Sequence, residues 1–303
     1  MAAAMMRRAS PGFSLTETMV GLALGLIVAA VAAAAWLAAL SAYRSAVERV
    51  LIEERGQRAL AILTALLRQA GWHPEALAAS APPAVSGADD CGQPAMGNVP
   101  ACGRRGVAQS DALLVRFSGH GLPHDASQPD HTMVDCSGYP VAAQAAGAAG
   151  QDGFVVDNLI YVATGTDGEP QLLCRYPARR NGQIGGHGWT SGALIRGVAT
   201  LQLRYAIDTD GDQRPDALLP AAQIQALGEQ AWHRVLAVQI ALALQGEHRG
   251  PPQATAGFEA AAGRDDALAD LRAAAVDTQR ATRRVFATTV RLRNAPRCEE
   301  TLC

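Results

Sequence analysis

One stretch of this chain decides most of what it can become. From Thr18 to Tyr43 there is no charged residue. At about 1.5 Å of rise per residue, a helix of that run can cross a hydrocarbon layer of roughly 30 Å. Directly ahead of it stands Glu17, and further ahead Arg7 and Arg8. The two arginines resist translocation, so this end is expected to stay cytoplasmic while the rest of the chain crosses. A carboxylate at the mouth of such a helix is costly in lipid and normally has a partner. If the chain is cut after Gly12, Phe13 gains a free amine four residues from Glu17. In an array of such helices the Glu17 carboxylate can pair with the Phe13 amine of a neighbouring copy, and the loss of either partner would leave a buried charge alone. A conventional secretory signal places its apolar region before the cut. Here that would mean cleavage inside the Ala-rich run near 34–42, which does offer small residues.

The string Pro11-Gly12-Phe13-Ser14-Leu15-Thr16-Glu17-Thr18-Met19-Val20 resembles the class III signal of type IV prepilins. That signal has a basic leader, a glycine before the cut, an aromatic first mature residue and a glutamate fifth after the cut. The resemblance implies that a membrane prepilin peptidase and methyltransferase cuts after Gly12 and methylates the amine of Phe13. It also implies that Glu17 serves assembly with other minor and major pilins.

The expected organisation follows. Residues 1–12 are the leader, 13–43 the transmembrane part of a long helix and 44–72 its amphipathic periplasmic part. Residues 73–303 form a periplasmic β-rich domain. Gly21 and Gly25 permit close helix contact in lipid, or are simply tolerated there. Val47, Val50 and Leu51, then Leu60, Leu63, Leu67 and Ala70, fall at helical spacing and predict a packed face. Gly71-Trp72-His73-Pro74 ends the helix. Residues 75–108 read as a loop, and 120–150 as irregular. Strands are expected at Asp111 to Phe117, Phe154 to Ala163, Gln171 to Arg175, Ala193 to Ile207, Arg234 to Leu244 and Arg284 to Arg293. The alternation of Leu236, Val238, Ile240, Leu242 and Leu244 predicts a strand buried on one face. A polar, Ala-rich insertion separates the last two at 246–280. The fold class is therefore α+β and type IV pilin-like: a long N-terminal membrane and assembly helix, then mainly antiparallel strands.

Further segments point to one subgroup: Ser110 to Phe117, Asp135-Cys136-Ser137-Gly138, Leu172-Leu173-Cys174-Arg175, Leu203-Arg204-Tyr205 before an acidic loop, and Arg284 to Asn294. Together they resemble the PilW family of minor pilins. That resemblance implies a subunit of the bacterial inner membrane, later of the pilus, that primes assembly within a minor-pilin complex at the tip. Two other roles share the same N-terminus: a type II secretion pseudopilin, and a tip adhesin or DNA-uptake subunit displaying the 120–150 and 246–280 segments.

Six cysteines are present, Cys91, Cys102, Cys136, Cys174, Cys298 and Cys303. In an oxidising compartment an even number suggests bridges. Proximity favours Cys91 with Cys102 and Cys298 with Cys303, leaving Cys136 with Cys174; the alternative is buried free thiols. Asp208, Asp210, Asp212 and Asp216 in DTDGDQRPD match the first, third, fifth and ninth positions of a calcium loop. Gln213 stands where that loop needs glycine and Leu219 where it needs a bidentate glutamate. Ca²⁺ and a solvated acidic turn are both consistent with these residues. His120, His124 and His131 share a polar stretch without a second ligand cluster. No nucleophile elbow, phosphate loop or HExxH is present, so no enzyme is expected. The formal net charge of -2 supplies no basic field for nucleic acid.

Overall fold

The computed structural model describes residues 12, 14–75, 81–144, 153–180, 183–246 and 283–295. The chain divides into two compact units, Met1–Val50 and Leu51–Cys303. One helix, α1 (Leu15–Gln69), contributes to each.

Within the first unit α1 is uncharged from Thr18 to Tyr43, and Leu15, Val20, Leu24, Val28, Val31 and Leu37 are exposed. Such a surface suits hydrocarbon and not water. Among the described residues α1 is the one helix long and apolar enough to cross a membrane. Gly21 and Gly25 leave open space beside the helix.

Within the second unit α1 changes character. Ile52, Gly56, Ala59, Leu63, Leu66 and Leu67 are buried, and their three- and four-residue spacing places them on one face. Val47, Val50 and Leu51, expected on the packed face, are exposed instead. Three and four residues before Ile52 stand Arg49 and Glu48, so the apolar stripe stops there. The helix ends at Gly71, whose φ of +76° suits the left-handed residue that follows a helix. The Gly71 N–H donates to the Arg116 carbonyl at 2.9 Å.

Strands β1 (Val85–Ala88), β2 (Ala112–Phe117), β5 (Val156–Thr164), β6 (Pro170–Arg180) and β7 (Gln183–Arg196) form a five-stranded sheet in the order β1-β2-β5-β6-β7. A four-stranded sheet runs β11-β10-β8-β9, from β8 (Val198–Ile207), β9 (Ala217–Leu219), β10 (Val235–Gln245) and β11 (Arg283–Arg291). A small hairpin pairs β3 (Gly121–Leu122) with β4 (Asp125–Pro129). All these pairings are antiparallel. Both sheets and the 52–70 stretch of α1 contribute to one core, which includes Leu63, Leu67, Phe117, Ile160, Leu201, Tyr205 and Leu242. The short helix α2 (Ala221–Ala226) and a 3-10 turn at Glu229–Arg234 add Ile224 and Trp232. The α+β layout thus matches the expectation.

Three further details differ from the sequence reading. The expected strand from Ala193 to Ile207 is two strands in different sheets. Gly197 separates them with φ +80°; its N–H donates to the Pro170 carbonyl and its carbonyl accepts from Gln245. A side chain there would meet the Gln245 carbonyl at 2.9 Å. Strand β10 is buried along both faces, because Ala237, Ala241 and Ala243 are covered as well as the large residues. The 75–108 stretch contains β1, which forms the edge of the first sheet beside β2.

Gly56 is the tightest point of the helix stripe: a Cβ there would overlap the Phe286 ring of β11. Gly56→Ala should lower domain stability by about 1–3 kcal/mol through overpacking. Phe286→Leu in the same chain should recover part of the loss, read as the shift in thermal midpoint.

Candidate functional site

The N-terminal constellation begins with Gly12, which is exposed with open space around it. Phe13 lies outside the described residues. Ser14 and Glu17 close on each other. The Ser14 N–H donates to Glu17 Oε2 at 2.9 Å, and the Glu17 N–H donates to Ser14 Oγ at 3.2 Å. This reciprocal pair is a capping box, which satisfies free donors at a helix start. The Ser-x-x-Glu spacing at Ser14 and Glu17 carried that signal in the sequence. Glu17 therefore has a hydrogen-bond donor within its own chain, and its carboxylate also lies where it favours the helix dipole.

In the acidic loop, the buried carboxylate of Asp208 accepts the N–H of Gly211 at 2.6 Å and of Gln213 at 2.8 Å. Asp216 Oδ2 accepts the N–H and the hydroxyl of Thr209 at 2.6 and 2.8 Å. These two Thr209 bonds hold the Asp216 carboxyl below its usual range. Asp208, Asp210 and Asp216 each bring one oxygen within 4.8 Å of the others. Asp212 does not join them; it accepts the Arg214 N–H at 2.7 Å instead. Three convergent carboxylates can serve a hard cation such as Ca²⁺. Their oxygens are also acceptors in a turn that braces itself. His120, His124 and His131 form no such group among the described residues, and the His120 ring lies 4.8 Å from that of Trp72.

Two disulfides join Cys91 to Cys102 and Cys136 to Cys174, with Cα atoms 5.0 and 6.2 Å apart. Cys298 and Cys303 lie outside the described residues, as does nearly all of the 246–280 insertion. Each bridge anchors a segment that a buried arginine also holds. The Arg116 guanidinium donates to the carbonyls of Pro83, Asn98 and Gly97 and pairs with Asp157 at 3.1 Å. Burial pushes Arg116 down and Asp157 up, and their pairing opposes both shifts. Arg179 meets the fully buried Asp135 at 2.6 Å. Asp135 also accepts from Ser137 and Tyr139, and the Cys136 N–H donates to Asn158. The 133–140 turn, expected as irregular, is thus firmly fastened. Beside it lies an open groove of about 520 Å³ lined by Arg58, Ile62, Leu66, Val134, Tyr176 and Leu194. Its lining is mostly apolar and assembles no catalytic set. Sequence reading missed these ion pairs, since Asp135 and Arg179 are distant along the chain.

Residues 160–294 match the family model described as Type IV Pilus-assembly protein W. The matched range runs from within β5 to just past β11, and so takes in the whole four-stranded sheet. No curated protein and no solved structure matches the chain.

Arg179→Met would leave Asp135 buried without its cation, and stability should fall by about 3–5 kcal/mol in chemical denaturation. The bracing of the acidic loop predicts the same melting temperature for the full chain in detergent with Ca²⁺ and with a chelator. A midpoint that rises with Ca²⁺ concentration would instead identify a bound ion.

Proposed function

We propose, from the match of residues 160–294 to the PilW family of type IV pilus-assembly proteins, that this chain is a minor pilin that helps initiate the fibre. The coarse role is pilus assembly by a membrane-anchored protein. The finer reading assigns each end of the molecule a task. A prepilin peptidase removes the leader after Gly12. The apolar stretch of α1 holds the subunit in the inner membrane with its β domain in the periplasm. Glu17 then meets the Phe13 amine of a neighbouring pilin, and the subunit joins a minor-pilin complex at the tip.

The observation that carries this reading is the combination of a PilW match with an uncharged helix preceded by Gly12, Phe13 and Glu17. A secretion pseudopilin would share the leader and helix, but the family match favours the pilus. The capping box refines the role of Glu17. Within one chain its carboxylate already accepts from Ser14, so docking amounts to gaining a charged partner. The Ser14 bond leaves the carboxylate charge uncompensated, whereas the Phe13 amine neutralises it, and an unpaired charge inside an apolar bundle is costly, which gives the exchange a direction.

Gly12→Ala should leave an uncut precursor by intact mass, whereas a mature N-terminus at Phe13 in that variant would contradict the assignment. Glu17→Gln keeps an acceptor for Ser14 and removes the charge. It should be processed normally, yet fall at least tenfold in recovery from sheared pili, as should Glu17→Val. Normal incorporation of Glu17→Gln would show that capping, and not pairing across subunits, is what the residue supplies.

A further inference from the structure

The segment leading into β2 is laced to β8, and the lacing joins the two sheets. Thr200 Oγ1 donates to the Ala108 carbonyl at 3.2 Å, and Gln202 Nε2 donates to the Gln109 carbonyl at 2.7 Å. The Leu201 N–H donates to Ser110 Oγ at 3.3 Å. The Asp111 N–H donates to the Leu201 carbonyl at 2.9 Å. Across residues 108–111 and 200–203 the one ionisable side chain is Asp111.

Asp111 is 3% exposed, and its two oxygens serve different elements. Oδ2 accepts the Leu203 N–H of β8 at 2.8 Å, and Oδ1 accepts the Asp90 N–H of the turn after β1 at 3.1 Å. Charged groups surround it unevenly. Asp89, from that same turn, accepts the N–H groups of Ala221 and Ala222 at the start of α2. Asp90 is engaged by Arg105 and by the Gly106 N–H. Arg204 of β8 supplies the opposing positive charge. Tyr205, also of β8, is fully buried, and its hydroxyl is without a hydrogen-bond partner. That hydroxyl feels the fields of both Asp111 and Asp89.

We propose that Asp111 is a proton-operated latch on the seam between the two sheets. Neutral, it closes the seam at little electrostatic cost. Ionised, it sets a buried negative charge beside Asp89 and weakens the seam. Burial pushes the Asp111 carboxyl up to about 7, Asp89 adds to the rise, and the N–H groups of Leu203 and Asp90 with Arg204 oppose it. In an unfolded chain the same group titrates near 3.8. Because the folded value is the higher one, the stabilisation is complete below the unfolded value and is lost as pH climbs to about 7. Above that, both states are ionised and this contribution is flat.

The test compares the full chain with D111N in detergent, measuring unfolding equilibria from pH 4 to 8. Relative to D111N, the unfolding constant of the unaltered chain should rise by about tenfold per pH unit between pH 4 and 7, then level off. Parallel pH profiles for the two proteins would overturn the proposal. Asparagine supplies one acceptor for two N–H groups, so a second readout needs no substitution. The ¹³C carboxyl resonance of Asp111 should titrate with a midpoint near 7, and a midpoint in the ordinary carboxylate range would overturn the latch. Amide protection at Leu203, corrected for intrinsic exchange, should fall over the same interval; protection that is constant with pH would argue that the seam does not respond.

Discussion

Helix α1 has to satisfy two solvents, and it does so by changing its side-chain pattern at Ile52. Up to Tyr43 the helix is greasy on every side, as hydrocarbon demands. From Ile52 onward only one stripe is apolar, and it is the stripe on which the domain core is built. Burying Ile52, Leu63, Leu66 and Leu67 is worth about 1.5–3 kcal/mol for each side chain. Gly56 matters for the opposite reason: by having no side chain, it lets β11 approach, with Phe286 lying over it. Arg49 and Glu48 mark where the stripe has to stop.

A second theme is how the domain fastens its irregular segments. Loops carry backbone groups that need partners, and here buried ionisable side chains provide them. Arg116 gathers three carbonyls from the 83–98 stretch. Asp135 gathers the turn that follows it and is itself neutralised by Arg179. Asp111 ties the turn after β1 to β8. The two disulfides reinforce the first two of these points. The Arg116 and Asp135 charges would be expensive alone in a low-dielectric interior, and each is placed where several backbone groups converge on it.

At the other end of the chain, the capping box alters how the N-terminal acid is understood. A carboxylate beside an apolar helix need not wait for a neighbouring subunit to be satisfied, because Ser14 already supplies a donor. The proposed docking step exchanges a neutral partner for a charged one. That makes assembly a competition between two acceptable states of one side chain, with the charged partner favoured inside an apolar bundle.

Much of this was written locally in the chain. The uncharged run, the 3.6-residue stripe from Leu60 to Ala70 and the alternation that marks β10 as a strand are all local features, and short-range periodicity is visible without a fold. The Ser14 cap was equally local, present as Ser-x-x-Glu. What only the tertiary structure decided were the long-range pairings: the break at Gly197 that sends β7 and β8 into different sheets, the Asp135–Arg179 pair, the seam through Asp111, and which three of four loop aspartates converge. These depend on which strands come to lie side by side. That outcome is set by how the whole core closes on α1, and it leaves no periodic trace in the sequence.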